Sequence, residues 1–270
     1  MKGTICAVTV FILLVLSVNS CKIDNKVSPG SVYNMNFTIS AGTTPLLPGP
    51  GNVVTNAPLR YYLNQLQFYI GYPRLEKADG TEIPLTNLVL VEFNSFPLAT
   101  PNEIYGTDFT FSIPAGSYTG IKFGIGVPDA ILDTIKHYHY RASDPLNQAW
   151  GMMWPNSDSV FRNIAIDMLA DTSIQQNQTV NRDYQFHILE EFPNTHSVNL
   201  YSDLLFPDAF TVGNGNIHSA TFNLDFNNVI FNSTNPIDLR TSVSTDMNTP
   251  SGITLGEAIN KNFYSSLKLK

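Results

Sequence analysis

Residues Asp108–Gly126 read D-F-T-F-S-I-P-A-G-S-Y-T-G-I-K-F-G-I-G. Phe109, Phe111 and Ile113 alternate with Asp108, Thr110 and Ser112, a period of two that puts the apolar side chains on one face of a strand. Pro114-Ala115-Gly116 is turn chemistry. After it Ile121, Phe123 and Ile125 resume one apolar face, while Gly124 and Gly126 permit a bend or a close approach. Short strands separated by Gly/Pro turns argue for a β-sandwich.

The pattern extends in both directions. Toward the N-terminus, Val32–Ser40 alternates Met35, Phe37 and Ile39 with Asn34, Asn36 and Thr38, so it reads as a first strand. Ala41–Ala57 is rich in Pro and Gly and reads as a long loop. Leu59–Ile70 favours a strand by its aromatic and β-branched end, with a helix as the alternative over Leu59–Leu66. Ala78–Thr81 (A-D-G-T) is a turn, and Glu82–Phe93 a further strand. Toward the C-terminus, Asp129–Tyr140 has the spacing of a short helix, with Asp129 placed to cap it. Asp144–Pro155 reads as a loop with a packed aromatic core. Ser159–Met168, Asn181–Leu189, Ser197–Leu205 and Ser219–Phe226 read as strands. Leu255–Leu267 reads as a helix whose stripe is Leu255, Ile259 and Phe263. The fold class expected is all-β: one β-sandwich with long loop insertions and a C-terminal helix, occupying residues 33–270.

Composition bounds the function. The chain is 43% hydrophobic and 14% charged, enough apolar residue to bury a core. Its net charge of −7 and lack of any Lys/Arg run exclude nucleic acid as a natural partner. No Gly-rich phosphate loop, H-E-x-x-H or nucleophile elbow is present, so no enzyme is expected. Asp129, Asp133 and Asp144 lack the spacing of a calcium loop and read as loop caps.

The N-terminus carries an address. Lys2 precedes the apolar run Ile5–Val18, which is too short for a stable membrane span and reads as an export signal, residues 1–20. Val18–Cys21 (V-N-S-C) resembles a bacterial lipobox, which implies cleavage after Ser20 and lipidation of Cys21. Cys6 leaves with the signal, so Cys21 is a lone thiol that cannot form a disulfide within the mature chain. Residues 21–32 then form the lipidated cysteine and a polar tether. The partner expected is a membrane, held through the lipid anchor, and the location the bacterial cell envelope, at the outer membrane.

One segment concentrates soft-metal chemistry. Within or beside Gly120–His187 lie His137, His139, His187 and His196, with Trp150, Met152, Met153 and Trp154. Imidazole and thioether suit Cu(I), whereas carboxylate loops do not. The competing reading is ordinary core packing by the tryptophans and methionines. On Asn181–Leu189, His187 faces away from Tyr184, Phe186 and Ile188, so any site it serves lies on the opposite face of that strand. His218 follows an N-G-N turn signal and reads as a loop residue.

The order L-R-Y-Y-L-N-Q-L (Leu59–Leu66), a D-G turn (Asp79-Gly80), P-A-G-S-Y-T-G-I-K-F-G-I-G-V-P (Pro114–Pro128), D-P-L (Asp144–Leu146), W-G-M-M-W (Trp150–Trp154) and F-H-I (Phe186–Ile188) resembles the MbnP-like copper-binding family of exported bacterial proteins, over about residues 35–200. The resemblance implies a β-rich envelope protein. In the copper-binding members, Cu(I) is held by histidines and a kynurenine formed by oxidation of a tryptophan. A di-haem peroxidase related to MauG is the partner implied for that oxidation. Residue by residue, Trp154 matches the family tryptophan and His187 the family histidine, with His137, His139 or Met152 to complete the metal site. The chain departs from the family after Trp154 (Pro155–Val160), at Leu189 where relatives have glycine, and in its first strand, which has no histidine. The function expected is an envelope lipoprotein that binds Cu(I); the alternative is a metal-free surface lipoprotein that binds a peptide, a glycan or an envelope protein.

Overall fold

The computed structural model describes residues 30–56, 59–95, 105–131, 144–146, 152, 160–171, 173, 179–191, 202–239, 241, 244–245 and 249–270. Strands run in chain order as β1 (Ser31–Ala41), β2 (Thr44–Pro45), β3 (Val54–Asn56), β4 (Leu59–Glu76), β5 (Glu82–Pro84), β6 (Leu88–Asn94) and β7 (Tyr105–Gly106). They continue as β8 (Asp108–Ile113), β9 (Gly116–Ile125), β10 (Val160–Asp171), β11 (Arg182–Glu191), β12 (Asp203–Val212) and β13 (Ile217–Asp225). Two helices, α1 (Phe226–Ile230) and α2 (Pro250–Ser266), precede the last strand, β14 (Leu267–Leu269).

The strands form two sheets. The smaller has five strands in the order β14-β13-β1-β2, with β8 also on β1. Among the described residues the larger has nine, in the order β11-β10-β4-β6-β7, with β3, β5 and β9 also on β4 and β12 on β9. Between them lies one aromatic core. Phe37 of the small sheet meets Phe68 of the large one edge-on at 5.8 Å, and Phe222 meets Phe123 edge-on at 5.2 Å. Such offset ring contacts hold beyond their area alone. The all-β sandwich read from the sequence is the fold observed.

Particular elements show why. In β8 the residues alternate exposed and buried, as period two requires. In β4 the inward set changes phase: Leu59, Tyr61 and Leu63 face the core, then Leu66, Phe68 and Ile70. The register against β10 shifts where Asp167 pairs with Gln65 and Met168 with Leu63. That bulge resets the alternation and leaves both halves buried on the core side, so no helix forms over Leu59–Leu66.

Other expectations need correction. The strand expected to stop at Leu205 runs to Val212, because Pro207 sits beside a register shift against β9, where a missing N–H is tolerated. Residues 197–201 of that expected strand lie outside the described residues. His218 is not in a loop: it belongs to β13, opposite Tyr33 of β1. Its ring stacks on Phe210 at 3.8 Å, and Nε2 meets Asp208 Oδ2 at 2.9 Å, tying the edge strand β12 to the small sheet. The loop at residues 41–57 contains the short strands β2 and β3. Of the expected helix at residues 129–140, Asp129–Ile131 is helical and the remainder lies outside the described residues.

Helix α2 forms as the sequence predicts, with limits Pro250–Ser266. Thr249 caps it by accepting the Gly252 N–H at 3.1 Å, and Pro250 fits the first turn. Ile259 and Phe263 are buried and Leu255 partly so. Phe263 packs edge-on against Phe68 at 4.9 Å, which docks the helix in the core. Tyr264 Oη donates to the Ile125 carbonyl at 3.0 Å and accepts the Ile125 and Ser202 N–H groups at 3.2 Å each, satisfying backbone at the end of β9.

Candidate metal centre

The face of the large sheet turned away from the sandwich core carries a second, smaller apolar cluster. Tyr69, Leu88, Leu90, Phe161 and Ala165 supply it from the sheet, and Val127, Leu146 and Met152 cover it. Met152 is fully buried. Two hydrogen bonds pin the covering segment: the Tyr69 hydroxyl donates to the Pro145 carbonyl at 2.9 Å, and the Arg162 N–H donates to the Met152 carbonyl at 2.7 Å. Asp144 Oδ1 accepts the Leu146 N–H at 2.9 Å. Leu146 of the D-P-L motif and Met152 are therefore packed onto this outer face.

His187 occupies the same face. Tyr184, Phe186 and Ile188 are buried in the main core, and His187 alternates with them, as its strand parity predicts. Its register partner is Ala165, a member of the second cluster. Sequence parity thus put His187 on the correct face, and the structure adds that a buried thioether covers that face.

The imidazole is fixed in one orientation. His187 Nε2 lies 3.0 Å from Asp167 Oδ1. A carboxylate oxygen accepts, so Nε2 is the donor of this hydrogen bond and Nδ1 is the ring nitrogen left for another partner. The backbone is fixed as well: the His187 N–H donates to Thr245 Oγ1 at 2.8 Å, and that hydroxyl donates to the His187 carbonyl at 2.8 Å. Ser244 bridges to Gln185 in parallel, so Ser244-Thr245 covers the outer edge of β11.

A polar row continues from the histidine. Register aligns Glu92, Gln67, Ala165 and His187 across β6, β4, β10 and β11. Glu92 is only 7% exposed. Its Oε1 accepts from Gln67 Nε2 at 3.0 Å and from Asn94 Nδ2 at 3.2 Å. Burial raises the Glu92 pKa above the ordinary carboxylate value, and the Asn94 and Gln67 hydrogen bonds partly offset it. The folded state therefore holds this proton more tightly than the unfolded chain does, and that contribution is lost as pH rises through the folded pKa. Glu92→Gln keeps an oxygen acceptor without the buried charge. Thermal unfolding is expected to show the variant gaining on the wild type between pH 4 and pH 7; an advantage that shrinks over that interval would contradict the assignment.

Asp167, Thr245 and Glu92 were not singled out by sequence. Asp167 alone left a signal: it is the charged break in I-A-I-D-M-L, on the face opposite Ile164 and Ile166. Trp154, His137, His139, His196 and Cys21 lie outside the described residues, so the structure brings only His187 and Met152 to a common face. Among the described residues no group of three His, Cys, Asp or Glu side chains is gathered to hold a metal. Imidazole nitrogen and thioether sulfur are donor types that a soft monovalent ion takes, and one of each lies on this face. No helix among the described residues is long and apolar enough to cross a membrane.

Comparison with known proteins gives three results. No curated protein matches the chain. A solved structure, MbnP from Methylosinus trichosporium, is 16% identical and aligns over 83% of this chain and 86% of its own, with a TM-score of 0.48. The MbnP family profile matches residues 30–250, most of the chain. The chain belongs to the MbnP family.

Proposed function

We propose that this protein is a bacterial envelope lipoprotein, anchored through Cys21, that holds one Cu(I) on the outer face of its larger sheet. The observation that carries the reading is the Asp167-oriented imidazole of His187 on the face covered by buried Met152. His187 Nδ1 and the Met152 thioether are two donors, and His137, His139 or Trp154 completes the set. Bound Cu(I) supplies a soft, low-charge centre that takes imidazole and sulfur in preference to water. The chain's own part is to orient and to exclude water. Asp167 holds the ring orientation and tautomer, Thr245 holds the backbone, and Leu88, Leu90 and Phe161 keep the thioether dry. Oxidation of Trp154 by a di-haem, MauG-like peroxidase would add a donor made after translation. Binding, not catalysis, is the activity.

The test is an anaerobic Cu(I) titration of natively expressed protein against a competing chelator. One equivalent should bind tightly. His187→Ala should lose at least about tenfold in affinity, which is about 1.4 kcal/mol. Asp167→Asn, with His187 intact, should lose about 10- to 100-fold, the usual cost of removing such an outer partner. Equal, weak binding by all three proteins would remove His187 from the site.

A further inference from the structure

A second feature lies on the opposite half of β4. Tyr72 has φ of 47°, and it is the one non-glycine residue with positive φ among the described residues. That region disfavours bulky L-residues, and glycine would occupy it without strain. The strain sits where β4 slips register against β9, between Gly71 and Arg74. A bulge explains the turn of the backbone there, but it does not explain why a tyrosine occupies the position. Backbone strain of this kind points to function when the residue also lines a cavity.

Tyr72 does. It lines an open cleft of about 400 Å³ with Pro73, Arg74, Glu82, Asn87 and Asp203. The floor is rigid. Arg74 donates from Nε to Glu82 Oε2 at 2.8 Å, and from Nη1 to Asp203 Oδ1 at 3.2 Å and the Tyr72 carbonyl at 3.1 Å. Lys122 Nζ reaches Glu82 Oε1 at 3.1 Å and Glu76 Oε1 at 3.0 Å. The Lys122 hydrogen bond, with help from Arg74, holds the Glu82 carboxyl below its ordinary pKa, so it stays ionised. The carboxylate side chains of Glu82 and Asp203 remain 38% and 46% exposed.

This chemistry selects its ligand class. Arg74 is engaged by Glu82 and Asp203 and Lys122 by Glu82 and Glu76, so an anionic ligand finds no unpaired cation, while the carboxylates outnumber the cations and leave acceptor oxygens toward the cleft. A carboxylate engaged by two donors still has lone pairs to accept from hydroxyl groups. Planar, fixed acceptors and an amide beside a tyrosine ring and two prolines, Pro73 and Pro84, offer hydrogen bonds at the edge and apolar contact at the face. We infer that this cleft binds a neutral sugar unit of an oligosaccharide. The inference is independent of the copper reading.

The test uses saturation-transfer NMR on the full mature protein with maltotriose, cellotriose and chitotriose as separate probes at millimolar concentration. At least one should receive saturation from the wild-type protein. Tyr72→Gly removes the ring and relieves the backbone, so it should melt no lower than the wild type while affinity for that sugar falls at least about tenfold. Asn87→Ala should weaken the same binding, and His187→Ala should leave it unchanged. Saturation of none of the three probes, or a Tyr72→Gly protein that binds as well as the wild type, would overturn the assignment.

Discussion

Phe68→Ala is expected to lower the unfolding free energy by about 3–5 kcal/mol, the range for truncating a fully buried aromatic side chain. Phe68 is completely buried and joins three elements. It meets Phe37 of the small sheet at 5.8 Å and Phe263 of α2 at 4.9 Å, from its own place on the large sheet. Removing it opens a cavity where both sheets and the helix converge, and no neighbour is unrestrained enough to fill it. Urea unfolding should show the loss with the denaturant dependence unchanged. Leu205→Ala provides the contrast: Leu205 is 51% exposed, so its loss should stay within about 0.5 kcal/mol. Similar losses for the two variants would contradict the three-element core.

The second large effect concerns Gly126. Its φ is +111°, and a Cβ added there would lie 2.8–3.1 Å from the side-chain atoms of Asn163. Asn163 cannot yield cheaply, because it is buried and its Oδ1 accepts the buried Val127 N–H at 2.9 Å. Gly126→Ala therefore combines backbone strain of about 1–3 kcal/mol with a buried N–H left unsatisfied, about 1–3 kcal/mol more. A total near 2–6 kcal/mol is expected on the same urea assay. Gly80→Ala isolates the strain, since Gly80 has φ of +80° with nothing within 4 Å, and it should cost only the smaller part. Val127 belongs to the cluster that covers the candidate metal centre. Gly126→Ala should therefore also loosen Met152.

Period-two patterning carried most of the sandwich. It identified β1, β8, β11 and β13 because each buries chiefly one face, it found β9 from its apolar stripe Ile121, Phe123 and Ile125, and it set the parity of His187. It failed where the backbone departs from a regular ladder. The bulge in β4 changes which residues face inward, and Pro207 masks the second half of β12. Pairing at long range was not legible at all. β1 and β13 lie side by side and parallel, joining residues from the two ends of the fold. Local alternation says nothing about which strand is the neighbour.

The candidate site divides in the same way. Its residue types were legible, as soft donors gathered in one segment and matched to family motifs. What organises His187 was not. Asp167 is twenty positions away and meets it diagonally across two strands, and Thr245 reaches it from beyond α1. Only the register of β10 on β11 brings the carboxylate to the imidazole.

Copper K-edge X-ray absorption on anaerobically Cu(I)-loaded protein tests the central claim most directly. Met152→Leu keeps the buried volume and removes only the sulfur, and His187→Ala removes only the imidazole. The account predicts a wild-type spectrum with both imidazole and thioether scattering. It predicts loss of the sulfur shell in Met152→Leu and weaker imidazole scattering in His187→Ala. A wild-type spectrum of light scatterers alone, unchanged in both variants, would contradict it.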